Sequence, residues 1–353
     1  MKRSFCTFAD LDGTLFQTLP KCGPVPVDRL VPAAAGRDGR DLSYMTPGQV
    51  VLFRLLKAAG ALVPVTARNL ESFSRVKLPF TDGAILDFGG VILDPDGVPD
   101  PEWSARIAPE AAEAQPMLEE ALRLAASAAS SRGLDAVPRL VGDLGTVFYM
   151  VAKSPSRDLA GLAAIMAVLE EALRGEARIW MNGNNLAALP MYLDKGPAVR
   201  RFMESRLPEA REEFLALGLG DSLSDLGFLD ECDLRLTPAG SQLAGLRLER
   251  CTVLDLETAG GGSAEEATRT IEVSALAAGG IAPAAMAAEG GAASSAEPKG
   301  HEAEMGAAAL AEPKGHEAEM GSAAQAEPKG HEAERGPAAS AEPKGHEAER
   351  GPE

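Results

Sequence analysis

The sequence predicts an α/β protein whose parallel sheet is interrupted by an inserted α+β module and followed by a repetitive tail. Three observations carry this. Apolar runs of strand type near 4–9, 62–65 and 214–219 each end in a polar cluster, and a helical stretch separates the first two. Between about 101 and 189 the pattern is helix, two strands, helix, two strands. From Ala296 the nonamer Ala-Glu-Pro-Lys-Gly-His-Glu-Ala-Glu recurs with a period of 15. Ligands in parallel α/β sheets collect at the carboxyl ends of strands, so the polar clusters are where function is sought.

The first run, Ser4 to Ala9, ends in Asp10-Leu11-Asp12-Gly13-Thr14. Residues two apart in an extended chain point to the same side. Two carboxylates on one side of a buried strand end repel each other, and a cation or a shared proton relieves this. Gly13 lets the backbone turn and approach a ligand closely.

Residues 17–43 hold four prolines and three glycines and read as a loop or short hairpin that can overhang the acidic pair. Thr46 reads as an N-cap with Pro47 at the first helical position, and Val51, Leu52, Leu55, Leu56 and Ala59 recur at helical spacing up to Gly60. The strand Leu62 to Val65 ends in Thr66-Ala67-Arg68-Asn69, whose hydroxyl and guanidinium suit a phosphate at the start of a helix over 70–75.

Short strands at 84–86 and 90–93 lead into a largely helical 101–132, a hairpin at 140–142 and 146–152, a helix over 157–174, and strands at 177–181 and 186–189 around Asn182-Gly183-Asn184-Asn185. The boundaries that follow are a core of 1–85 and 189–257, an inserted module of 86–188, and a linker and tail of 258–353. The core resumes with Asp194-Lys195-Gly196-Pro197, a lysine at a helix start over 197–205 that is unfavourable there without a nearby anion. The run 214–219 ends in Gly220-Asp221-Ser222-Leu223-Ser224-Asp225, a second pair of acids at a strand end. Further strands are expected at 232–236 and 253–256, and a short helix at 264–278.

The 353-residue chain carries a formal charge of −18, which excludes an electrostatic nucleic-acid binder. No run approaches the ~18 apolar residues of a membrane span and no signal-type apolar region follows the N-terminus, so a cytoplasmic protein without membrane contact is expected. The four cysteines form no CxxC pair. All four histidines lie in the tail, so acid–base chemistry in the rest falls to carboxylates, lysine or tyrosine. The tail copies hold three Glu and one Lys each among Ala, Gly, Ser and Pro, with little to bury; disorder is expected, with a role in solubility or in binding a protein partner.

Asp10-Leu11-Asp12-Gly13-Thr14, Thr66, Lys195 and Gly220-Asp221 with Asp225, in this order, resemble the four motifs of the haloacid dehalogenase (HAD) superfamily of phosphohydrolases throughout 5–245. The module between the second and third motifs resembles the C2 caps of that superfamily, the sucrose-phosphatase-like group above all. The resemblance implies a Rossmann-like core and a Mg²⁺-dependent phosphatase acting on a small phosphorylated substrate, a sugar phosphate being one class. It implies Asp10 as nucleophile and Asp12 as acid and base, with Thr66 and Lys195 on the phosphoryl oxygens. It also implies metal ligation by Asp10, Asp12, Asp221 and Asp225, and transition-state contacts from Gly13 and Thr14. Arg68, Asn69, Asn182 and Asn185 are the expected substrate contacts. A phosphomutase with the same covalent step, and a non-catalytic scaffold using the tail, are the alternatives.

Overall fold

A computed structural model describes residues 4–254 apart from 208–210, 212–213, 247 and 249–250. The linker, the helix expected at 264–278 and the repeats lie outside the described residues.

In chain order, β1 (Ser4–Ala9) is followed by β2 (Gln17–Thr18), β3 (Val31–Ala35) and β4 (Asp41–Met45). The last three form an antiparallel sheet of order β2-β4-β3, where a loop or short hairpin was expected. Pro32 is tolerated because β3 is an edge strand with a register shift beside that proline. Ala33, Ala34 and Met45 are buried and dock this sheet on the core. Next comes α1 (Pro47–Ala59), whose start is a reciprocal capping box: Gln49 N–H donates to Thr46 Oγ1 at 3.3 Å and Thr46 N–H to Gln49 Oε1 at 2.9 Å. β5 (Gly60–Pro64) and the single turn α2 (Leu70–Phe73) follow. α2 is shorter than the expected 70–75, and its cap is Asn69, which accepts from Ser72 N–H at 3.1 Å.

β6 (Ala84–Leu86) and β7 (Val91–Leu93) pair antiparallel. Then come α3 (Pro101–Ser131), β8 (Val137–Asp143), β9 (Thr146–Lys153), α4 (Leu159–Ala172), β10 (Ala177–Asn182) and β11 (Asn185–Pro190). α4 starts later than expected because Arg157 has a left-handed φ of 62° and the side chain of Asp158 accepts from Gly161 N–H. The four strands make an antiparallel sheet of order β10-β11-β9-β8, and Leu118 of α3 and Leu162 and Ile165 of α4 are buried with Met150 and Ala188 of the sheet.

The chain returns through α5 (Lys195–Arg206), β12 (Phe214–Leu219), α6 (Leu226–Asp230), β13 (Leu234–Pro238) and β14 (Cys251–Leu254). α5 begins at Lys195, two residues before the expected start, because the Asp194 side chain accepts from Gly196 N–H at 2.8 Å. The main sheet has the order β14-β13-β12-β1-β5 and every pair in it is parallel. Alternation along β1 sends Phe8 to one face, edge-on to Phe202 of α5 at 6.0 Å, and Ala9 to the other, among Leu52 and Leu56 of α1. No described helix is long and apolar enough to cross a membrane.

Candidate active site

The carboxyl ends of β1, β5 and β12 lie side by side, because β1 is hydrogen-bonded to both neighbours. This register brings together acids distant in sequence. Asp10 follows β1, and its N–H donates to Leu219 O of β12 at 2.8 Å. Lys195 is buried, 2% exposed, and its Nζ donates to Asp10 Oδ1 at 2.8 Å and to Asp225 Oδ1 at 2.6 Å. Its ammonium also lies 5.8 Å and 5.6 Å from the ring centres of Phe88 and Phe228. Burial disfavours the Lys195 charge, but Asp10 and Asp225 outweigh it and push its pKa up. Burial pushes the Asp10 carboxyl well above the usual carboxylate range despite Lys195. Asp221 is raised too, by burial and then by Asp10 and Asp225.

Asp225 is fully buried, and both its oxygens are engaged. Oδ1 takes Lys195; Oδ2 accepts from Asp221 N–H at 3.0 Å, Ser222 N–H at 2.9 Å and Ser222 Oγ at 3.1 Å. It therefore shapes the turn that presents Asp221 and holds Lys195. Asp221 Oδ1 is buried with no partner. Oxygens of Asp10, Asp221 and Asp225 lie within 4.8 Å of one another. Three buried carboxylates against one lysine, with an orphaned oxygen among them, make a hard-oxygen donor set that Mg²⁺ fits. Gly13 has φ 97°, and a Cβ there would lie 2.2 Å from Asp221 Oδ2, so only glycine admits this approach. Thr14 is buried with its Oγ1 unpartnered, while its carbonyl accepts from Gln49 Nε2 at 3.0 Å.

Thr66 is buried beyond β5; its Oγ1 accepts from Arg68 N–H at 3.2 Å, which leaves the hydroxyl proton to donate. Arg68 grips Asp12 with both arms, Nε to Oδ2 at 2.6 Å and Nη2 to Oδ1 at 2.8 Å. It also stacks over Phe16 at 5.2 Å and donates to Ser72 O at 3.0 Å.

The remaining expected contacts are placed differently. Asn69 gives its Oδ1 to the cap of α2 and turns its Nδ2 toward Asp143 at 3.5 Å, at the junction with the inserted module. Asn182 and Asn185 face each other at the β10–β11 hairpin end and bond to no core residue among those described. The neighbouring Met181 carbonyl does, accepting from Gln242 Nε2 at 3.0 Å. Sequence reasoning missed Lys21 and Gln17, which line a cleft of about 310 Å³ with Gly13, Asp221 and Ser241. Their signal was the position of 17–43 directly after the acidic pair.

No family model and no curated protein matches the chain. Among solved structures it is similar to the sucrose-phosphatase of Synechocystis sp. in complex with sucrose and phosphate, at 15% identity and TM-score 0.46, over 78% of this chain and 99% of that one. It is also similar to the C-terminal domain of trehalose-6-phosphate phosphatase of C. albicans, at 13% and 0.47, over 78% and 92%. A haloacid dehalogenase-like hydrolase of Bacteroides thetaiotaomicron follows at 15% and 0.44, over 76% and 100%. At these values the functional reading rests on the site itself.

Proposed function

We propose that the chain is a phosphohydrolase of the HAD type, acting on a small organic phosphate monoester through an aspartyl-phosphate on Asp10. The observation that supports this most is the pairing of Asp10 with the buried Lys195 beside the unpartnered oxygen of Asp221. A carboxylate can attack an anionic phosphoryl group only where cations offset both charges. Asp10, Asp221 and the Asp12 backbone would hold Mg²⁺, which would supply that offset on the transferring oxygens.

The chain's own residues do the rest. Lys195 and the Thr66 hydroxyl hold phosphoryl oxygens; the N–H groups of Gly13 and Thr14 are already given to Phe16 O at 2.8 Å and Leu11 O at 3.3 Å, so the turn's unpartnered donor is the Thr14 hydroxyl. Asp10 forms a bond to phosphorus as the bond to the leaving oxygen breaks. Asp12, once released by Arg68 and protonated from solvent, gives that oxygen its proton, then takes one from the water that attacks the phosphoryl group and frees Asp10. Arg68 grips Asp12 in the free protein and must release it for this, so incoming phosphoryl oxygens compete for the guanidinium. The modest cleft, lined by Gln17, Lys21, Asp221 and Ser241 among others, suits a small leaving group, and the module over residues 86–188 would act as a cap that excludes bulky esters.

The test is release of inorganic phosphate from a panel of phosphate esters, with Mg²⁺ or EDTA, by the wild type and Asp10→Asn. Metal-dependent turnover abolished in the variant is the expected result, and the ranking of esters gives the substrate class. A folded protein that hydrolyses none of them overturns the reading.

A further inference from the structure

Between β6 and β7 the chain makes a turn in which three successive residues have left-handed φ: Asp87 at 50°, Phe88 at 54° and Gly89 at 98°. A left-handed phenylalanine is costly and persists only where its surroundings over-determine it. Here they do. Asp87 N–H donates to Arg68 O at 3.0 Å and Phe88 N–H to Thr66 O at 3.1 Å, so the turn is laced to the loop that carries Thr66 and Arg68. A Cβ on Gly89 would lie 2.3 Å from the carbonyl of Asp194, the residue before Lys195.

The Asp87 side chain is fully buried, and neither carboxyl oxygen meets a donor. The charged group that acts on it is another acid, Asp143, at the end of β8 in the inserted module, and both acids meet the same loop, Asp87 through its N–H at Arg68 O and Asp143 at Leu70 N–H. Asp143 reaches across the junction: its Oδ2 accepts from Leu70 N–H at 2.5 Å and its Oδ1 from Asn69 Nδ2 at 3.5 Å. Tyr149 of β9 anchors the same hairpin, donating to Ala67 O at 2.7 Å, and its ring meets Phe88 edge-on at 5.0 Å. The other charged groups around the pair are Arg139 on β8, which acts on Tyr149, and Lys195 beyond the Phe88 ring. Neither is hydrogen-bonded to either carboxyl among the described contacts. Two acids that face each other without an intervening cation can coexist only with a proton between them.

We propose that Asp87 and Asp143 form a carboxyl pair sharing one proton, and that this pair is a positioning device that pins the β8–β9 hairpin onto the Thr66–Asn69 loop. Burial, and then Asp143, push Asp87 up to about 9, in keeping with a proton that stays at neutral pH. Loss of that proton to solvent leaves two carboxylates face to face and drives the hairpin off Ala67 and Leu70. Thr66 and Arg68 then lose their outer support, so phosphate binding weakens while the nucleophile is untouched. The kinetic consequence rests on the phosphatase reading; the shared proton does not.

The experiment is carboxyl ¹³C NMR on aspartate-labelled full-length protein from pH 6 to 10.5, with Asp87→Asn and Asp143→Asn to assign the signals. Asparagine tolerates the left-handed φ and mimics the protonated acid. Expected is one carboxyl signal that is protonated at pH 7, titrates near 9, is lost in Asp87→Asn and shifts to lower pH in Asp143→Asn. An Asp87 signal already ionised at pH 7, or a titration moved by EDTA and so reporting a bound cation, overturns the proposal. Given an active ester, KM rises at least tenfold between pH 8 and 10 in the wild type and not in Asp87→Asn, with kcat at pH 7 alike. An equal rise in both proteins also overturns it. If no ester is hydrolysed, the phosphatase reading fails and the NMR result alone decides the carboxyl pair.

Discussion

Lys195→Met removes the one ammonium that binds both Asp10 and Asp225, at 2.8 Å and 2.6 Å, with all three side chains at most 8% exposed. Methionine fills a similar volume, so the loss is electrostatic. Two carboxylates are left without their cation, and Asp221 adds a third beside them. Breaking a buried ion pair by deleting one partner costs about 3–5 kcal/mol, and the metal-free protein at pH 7 should lose that much. The pH dependence has a definite sign. The raised Lys195 pKa means its contribution is fully present below the ordinary lysine pKa and is lost only as pH rises through the higher folded value. In the variant Asp10 binds its proton still more tightly than in the unfolded chain, so the variant is least handicapped in acid and worsens as pH rises. The assay is urea unfolding in EDTA at pH 4.5, 6 and 7.5, with repeats in Mg²⁺. The deficit should shrink by more than half at pH 4.5, and Mg²⁺ should stabilise the variant more than the wild type. A variant within 1 kcal/mol of wild type at pH 7.5, or a deficit independent of pH, would refute the reasoning.

Other perturbations have equally definite outcomes. Asp87→Asn removes the need to hold a proton that the unfolded chain releases, so it should stabilise the protein at pH 7 by up to about 4 kcal/mol. That gain should vanish near pH 4 in denaturant titrations, because the raised pKa costs nothing below the unfolded value. Gly13→Ala puts a methyl 2.2 Å from Asp221 Oδ2 at a φ of 97°; it should cost about 1–3 kcal/mol and weaken Mg²⁺ binding measured by calorimetry. Arg68→Met should lower kcat/KM by about 10–100-fold, about 1.4–2.7 kcal/mol of transition-state stabilisation, in steady-state assays. Trp103→Phe loses the Nε1–H bond to Gly89 O at 2.9 Å beside the left-handed turn and should cost about 1 kcal/mol in urea unfolding.

The acids of the site were legible because each follows a strand whose apolar run is local. Phe5 to Ala9 and Phe214 to Leu219 announce buried strands, and a parallel sheet then obliges Asp10 and Asp221 to meet. The alternation of helix and paired strands likewise revealed the inserted module. Segment 17–45 was not legible as a sheet, since Pro32 and the glycines mask strands that exist by docking on Leu52 and its neighbours. The parts played by individual polar residues were equally hidden. Nothing local says that Arg68 turns back to Asp12, 56 residues earlier, or that Asn69 caps α2 and faces Asp143. The signal left unread was Asp87 itself, the one charged residue in the run Ala84 to Leu93. A lone acid in such a run needs either a cation or a proton.

The loop from Thr66 to Asn69 joins these two findings. Its inner side offers the Thr66 hydroxyl to the site and sends Arg68 onto Asp12; its outer side gives the carbonyls of Thr66, Ala67 and Arg68 to Phe88, Tyr149 and Asp87. One four-residue loop therefore reaches Asp12 through Arg68 and carries the junction with the module. A displacement of the β8–β9 hairpin cannot leave Arg68 where it is, because the Asp87 N–H that holds the Arg68 carbonyl belongs to the turn that Phe88 locks against Tyr149. In the proposed mechanism Arg68 releases Asp12 before a proton reaches the leaving oxygen, which would make the position of the module and the readiness of Asp12 one variable. Substrate that draws Arg68 away from Asp12 should also tighten the hairpin on its loop, and the amide protection of Leu70 should rise with it.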